Sequence, residues 1–371
     1  MKFTVAVAVL AASLGVTTAA HAATVNYTLY MTAADKTFTI PLATVTYTRT
    51  VWVEGFTNTS GAVPNIGGVI LNANEGDTIN ITVVNQTQES HDFEVKGSGV
   101  AKATIAAGAN KLVTLTGLAA GDYIYYDPSN DVQTLQAQRA IGMIGALIVR
   151  PAGQIAGGAG NLWTGGPAYK KDFVWVVSDM DKLWNAADKS GVAAPAAYKA
   201  TYAFINGLFG TKSVKDYTNS PQLGKKDSAA NPGIGDHIVI RIINPGMIAH
   251  PIHFHGYHGE LHSVNNVHQT RVLEKDVIDV PPMTTMDLRF YINQPGMYII
   301  HDHTGMMVTQ DGIYAEGMLS EFDACTKMTA AELAPFTTNT VPFSSACDKY
   351  CPKPNIGVPN CGGGGGWGWG S

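Results

Sequence analysis

The chain is poor in charge. Charged residues make up 14% of its 371 residues, near half the usual quarter, and glycine is abundant at 40; together these exclude a helical bundle or coiled coil. Lysine and arginine number 24 against 29 acidic residues, for a net charge of −5. No basic footprint for nucleic acid exists, which sets that class aside. Cysteine is missing from everything before position 325, since Cys325, Cys347, Cys351 and Cys361 are the four thiols of the chain. An even number in a loop-rich tail reads as two disulfides with three pairings open; a metal site there would lack any histidine. Long hydrophobic runs are scarce as well. The run at residues 5–16 follows Met1-Lys2 and precedes Ala20-His21-Ala22, the layout of a cleaved secretory signal, and it is shorter than the roughly 20 residues of a membrane span. The expectation is an exported protein, periplasmic or extracellular, maturing near Ala23.

What the chain does have is a series of short alternating apolar runs bounded by Gly, Pro, Asn and Asp. Residues 78–84, 111–115, 123–126, 238–243 and 297–300 are examples, and their spacing suits a β-sandwich. Residues 181–187 and 194–209 look partly helical and read as an insertion early in a second domain. The Gly-rich stretch 154–166 reads as a linker. Beyond Cys325 periodicity fades, ending in GGGGGWGWGS, a flexible low-complexity end.

Internal repeats organise the rest. Residues 75–85 (EGDTINITVVN) align with 234–244 (IGDHIVIRIIN) at an offset of 159, and the same offset carries His91 onto His250. Residues 121–127 (GDYIYYD) align with 296–302 (GMYIIHD) at an offset of 175, which also carries Gly142-Met143 onto Gly317-Met318. The expected fold is all-β: two tandem Greek-key sandwiches with a short helical insertion and a disulfide- and Gly-rich tail. The divisions are a signal at 1–22, domain one at 23–152, a linker at 153–171, domain two at 172–324 and the tail at 325–371.

Histidine is concentrated as strongly as cysteine is confined. Of the ten histidines after His21, eight fall between 250 and 303. Two clusters stand out, His250-Pro-Ile-His253-Phe-His255-Gly256 and His301-Asp302-His303. Residues two apart on a strand share a face, so His253 with His255, and His301 with His303, present paired imidazoles. If the two strands are neighbours, four rings converge. Neutral imidazole suits copper, and also zinc, iron and nickel. By the same alternation Asp302 faces away from this patch, toward His250. His258, His262 and His268 read as loop or supporting histidines, one of which would complete the coordination, and His237 as structural. Met306, Met307 and Met318 are soft enough for Cu(I), or fill core.

HPIHFHG and YIIHDH resemble the two copper signatures of multicopper oxidases, and the paired repeats look like the cupredoxin domains of that superfamily, which includes two-domain laccases and copper nitrite reductases. The resemblance covers roughly residues 60–150 and 172–322. It implies that His253, His255, His301 and His303 are ligands of a type 2/type 3 cluster and that His250 is a type 1 ligand. The chain departs from the pattern in three ways. A blue type 1 site needs a thiolate between the histidines of the second motif, and Asp302 stands there. Domain one has Tyr126 and Pro128 beside Asp127, and Glu94 and Lys96 opposite His253 and His255, where a lysine ammonium repels a metal ion; it is read as degenerate and copper-free. Family members with two domains form homotrimers whose full cluster uses four His-x-His pairs, and this chain has two.

A second set recurs in both repeats: His91, Asp127, Met143 and His250, Asp302, Met318. It reads either as a converted His/carboxylate/thioether pocket or as a buried polar pair. The functional expectation is a copper-binding, multicopper-oxidase-like protein with a histidine-only site in domain two, acting as an oxidoreductase on oxygen or another small substrate. The alternatives are a non-catalytic copper-handling protein of the periplasm or cell surface, and a structural surface or assembly component.

Overall fold

A computed structural model describes residues 22–41, 45–131, 136–216, 218–223, 232–233, 235–293 and 296–324. The leader and the four cysteines lie outside the described residues.

Domain one contains β1 (Thr24–Pro41), β2 (Thr46–Thr57), β3 (Ile70–Asn74), β4 (Thr78–Asn85), β5 (His91–Val95), β6 (Ala103–Ile105), β7 (Asn110–Leu115), β8 (Gly121–Tyr126) and β9 (Ile144–Arg150). Two sheets result, ordered β2-β1-β4-β7 and β3-β9-β8-β5-β6. In β4 burial alternates at every residue, so Ile79, Ile81 and Val83 enter the core with Leu29, Phe93, Tyr125 and Leu147 from the facing elements. Domain two contains β10 (Lys171–Met180), β11 (Tyr202–Ile205), β12 (His237–Asn244), β13 (His250–Phe254), β14 (Gly259–Val264), β15 (Val267–Lys275), β16 (Val277–Val280), β17 (Thr284–Tyr291), β18 (Gly296–Asp302) and β19 (Leu319–Ala324). Its sheets run β11-β10-β12-β17-β14-β15 and β19-β18-β13-β16, the latter extended past β19 by Gln222–Leu223. Two-residue strands are otherwise unnumbered. The helices are α1 (Gln138–Ile141), α2 (Lys182–Lys189) and α3 (Gly210–Val214).

The all-β tandem sandwich is therefore observed, and the repeats are repeats in space. Both β4 and β12 run parallel to one neighbour, β1 and β10, and antiparallel to the other, β7 and β17. Asn85 ends β4 and donates its side-chain amide to the carbonyls of Glu89 and Ile105. Asn244 does the same for Ile248 and Val280, 159 residues beyond Asn85 and Glu89.

One expectation needs correction. The stretch 194–209 is not helical: β11 lies within it, with Tyr202 to Ile205 opposite Met180 to Val177. Four consecutive buried positions in β11 make the sheet edge outweigh local helix propensity. The glycine-rich connection carries local structure of its own. Gly160–Asn161 pairs with Ala168–Tyr169, and Leu162 and Tyr169 are buried against Val239. The helix expected at 181–187 does form as α2, capped by the Asp181 side chain accepting from the Leu183 amide at 2.8 Å.

The domains are joined by a buried charge cluster. Arg241 of β12, with no exposed surface, reaches Asp172 at 2.9 Å, Asp287 at 3.0 Å and Asp122 of domain one at 3.2 Å. Arg150 of domain one closes on the same Asp172 at 2.8 Å. Burial and the neighbouring Asp287 push the Asp122 carboxyl well above the usual carboxylate range. The Asn265-Asn266 turn between β14 and β15, both residues at positive φ, is a left-handed two-residue hairpin turn. It inserts against β8: Asn266 Oδ1 accepts from the Asp122 amide at 2.7 Å, and a Cβ on Gly121 would meet that oxygen at 2.4 Å.

Arg241→Ala is expected to destabilise the protein by about 3–5 kcal/mol, because it strands buried carboxylates. Asp122→Asn should cost far less, since the amide oxygen still accepts from Arg241 and burial already disfavours the charged carboxylate. Chemical denaturation of the two variants tests the assignment; equal losses would contradict it.

Candidate metal centre

The pairing of β13 with β18 builds the site. His253 stands directly opposite His301, with Ile252 opposite Asp302. Burial alternates along β13, so His250, Ile252 and Phe254 face the core and His253 faces the other way. The two histidines beyond the strand ends are tied by main chain: the His255 amide donates to the Ile299 carbonyl at 3.0 Å, and the His303 amide to the Pro251 carbonyl at 2.7 Å.

The four rings gather as the alternation implies. Ring centres lie 4.5 Å apart for His253 and His255, 5.2 Å for His255 and His301, 5.5 Å for His253 and His301, 5.3 Å for His253 and His303 and 5.9 Å for His301 and His303. One nitrogen from each of His253, His255 and His301 falls within 4.8 Å of the others; exposed His303 flanks this trio and stands outside it. Nε2 of His255 and Nε2 of His301 are 3.1 Å apart. Imidazole–metal bonds of about 2.0–2.1 Å at right angles or slightly wider require that separation.

Electrostatics favour the same reading. Burial first, then the surrounding imidazoles, push His301 down to about 4, and His255 is lowered by burial and by His253 and His303. These rings are neutral at pH 7 and offer lone pairs. His301 Nδ1 lies 2.9 Å from the Asp302 carbonyl and His253 Nδ1 lies 3.1 Å from the Asp276 carbonyl. A carbonyl only accepts, so each Nδ1 carries the proton and each Nε2 is bare. Main-chain carbonyls thus set tautomer and ring angle, the usual support of a metal-binding imidazole. The donor set fits a borderline divalent ion.

Residues 196–316 match the family model described as multicopper oxidase, a segment holding all eight clustered histidines. Over that segment the chain is similar to multicopper oxidases. Among solved structures, a blue copper oxidase from Nitrosomonas europaea superposes with a TM-score of 0.60 at 17% identity over 90% of this chain and 98% of that one. A multicopper oxidase called mgLAC gives 0.60 at 19% identity over 82% and 86%. A copper nitrite reductase from Nitrosomonas europaea gives 0.55 at 18% identity over 82% and 95%. The shared fold is the cupredoxin-like double sandwich. No curated protein sequence matches the chain.

In this chain His250 is engaged on both sides. Nδ1 is 2.7 Å from Asp302 and Nε2 is 3.3 Å from Asp179, and Tyr198 donates its hydroxyl to Asp179. Burial alone would lower the imidazole; hydrogen bonds to Asp179 and Asp302 outweigh it and push it up to about 9. The result is an imidazolium with no lone pair for a metal. Met318 is buried among the apolar residues of domain two. Of the two readings of His250, Asp302 and Met318, the geometry supports the buried polar pair. Asp302 also accepts from the Thr304 amide at 2.8 Å.

Domain one keeps the frame without the site. His91 is 2.8 Å from Asp127 and 3.5 Å from Glu54, and the Asp127 amide donates to the Met143 carbonyl, as the Asp302 amide does to Met318. Where His253 faces His301, Glu94 faces Tyr126. Lys96 turns its ammonium to the Met283 carbonyl of domain two.

The remaining histidines lie elsewhere. His262 is 2.9 Å from Glu260, His268 stacks on Trp163 with ring centres 3.7 Å apart, and His237 packs on Tyr291. Exposed His258 lines a separate cleft with His237, Glu260 and Glu274. Met307 is buried and Met306 exposed. Sequence reasoning missed Asp179; a carboxylate inside the apolar run of β10 was the available signal. It could not find the Asp276 carbonyl, which is main chain.

In the metal-free protein the His301 ring should titrate near pH 4, and a ring-proton NMR titration checks this; a midpoint near the ordinary 6.5 would show that the rings do not crowd. Asp302→Ala should cost about 1–3 kcal/mol in denaturation, because it leaves the buried Nδ1 of His250 without its acceptor while Asp179 still faces Nε2.

Proposed function

We propose that this chain is an exported copper-binding protein of the multicopper oxidase kind, whose copper is held in domain two by histidine alone, without a blue type 1 centre. The observation that carries the proposal is the convergence of His253, His255 and His301 with two of their rings pre-oriented through Nδ1. Copper is preferred over zinc because the similar structures are copper oxidases and reductases and zinc has no support among them. Export rests on the leader sequence. No helix among the described residues is long and apolar enough to cross a membrane.

A copper ion bound there would supply an open coordination position for a small ligand such as oxygen and a one-electron redox couple. The chain's own residues do the rest. The Asp302 and Asp276 carbonyls hold the His301 and His253 rings, apolar Ile252, Phe254 and Ile300 behind the strands keep them from turning inward, and His303 stands at the exposed side, where a substrate or a neighbouring copy in a homotrimer would approach.

A second reading, copper handling without turnover, is favoured by the clamp of Asp179, His250 and Asp302. It stands where the resemblance puts the electron inlet, and neither a thiolate nor an unprotonated imidazole is offered there. The same preparation decides between the two readings. Copper-loaded protein should hold stoichiometric metal with a type 2-like spin-resonance signal and no intense blue absorption, and His253→Ala with His301→Ala should abolish loading. Oxygen uptake with a phenol supports the oxidoreductase, and loading without uptake supports handling. An intense blue band, or full loading of the double variant, would overturn the proposal.

A further inference from the structure

Between the domains, away from the histidines, lies a cavity of about 520 Å³, within the usual range for small-molecule sites. Its walls come from β1, the segment before β3, and the turn between β11 and α3, and they are largely apolar: Phe38, Ile66, Leu208 and Phe209. Two lysines line it, Lys36 and Lys212, and no carboxylate does among the described residues.

Lys36 is the anomaly. On β1 it shares a face with Phe38 and Ile40, both buried, at a position where an apolar residue is expected. Its ammonium donates to the Pro64 carbonyl at 3.0 Å, and burial lowers its pKa. Lys212 donates to the Thr39 carbonyl at 3.0 Å and sits 5.1 Å over the Phe209 ring. An ammonium has three donors, and neither lysine has a carboxylate within ion-pair reach among the described residues. Half-buried Lys36 and exposed Lys212 thus leave ammonium donors at the cavity for an anion.

We propose that this cavity binds a small amphipathic organic anion, its acidic group drawn to Lys36 and Lys212 and its apolar part packed on Phe38, Ile66, Leu208 and Phe209. The site is separate from the histidine centre and does not depend on the reading given to it. Because it is walled by both domains, a ligand there also strengthens their association.

Calorimetry on the full chain with naphthoate as probe tests the inference. One molecule per chain is expected, with naphthalenemethanol, the neutral counterpart, binding weakly. Lys36→Met and Lys212→Met should each weaken naphthoate about tenfold, and Val69→Trp should abolish it by filling the cavity while both lysines remain. Copper loading should stay unchanged in all three. The inference is overturned if the wild-type chain does not bind naphthoate, if the alcohol binds equally well, or if the Lys212 variant, whose side chain is exposed and tolerant of change, binds as tightly as wild type.

Discussion

The register between β13 and β18 is the constraint on which the metal centre depends. Placing His253 opposite His301 puts His255 and His303 just past the strand ends, each anchored by its own main-chain amide. A slip of one residue would turn His253 into the core and Ile252 outward, so the buried Ile252, Phe254 and Ile300 that hold the register also hold the site. Apolar packing on one face and ligand presentation on the other are consequences of one alternation.

The same frame appears twice with different side chains, and the comparison shows what was kept. In both domains a buried histidine is clamped through Nδ1 by an aspartate at the end of the adjacent strand, and that aspartate's amide is bound by a methionine carbonyl. Those features hold the sandwich end together irrespective of copper. The ligand positions diverge: His253 and His301 in one domain, Glu94 and Tyr126 in the other. Lys96, at the position of His255, now ties domain one to the Met283 carbonyl. The degenerate half-site has become part of the domain interface, alongside the buried cluster around Arg241.

Much of this was legible in the sequence because it rests on period-two patterns. Strands such as β4 and β12 were visible as alternating runs, the domain repeat as two constant offsets, and the ring cluster as two His-x-His pairs. The inward turn of Asp302 toward His250 followed from the same rule. What was illegible depends on tertiary partners. β11 reads as helix until β10 lies beside it, and Asp179 gains meaning only when Nε2 of His250 arrives next to it. Carbonyl supports such as Asp276 leave no trace in residue type at all.

Diffraction from copper-loaded crystals on both sides of the copper absorption edge is the most direct test of the central claim. The account predicts an anomalous peak about 2.0–2.1 Å from ring nitrogens of His255 and His301, with His253 in the same shell and nothing at His250. Copper seated between His250 and Met318, or no peak among the four gathered rings, would contradict it.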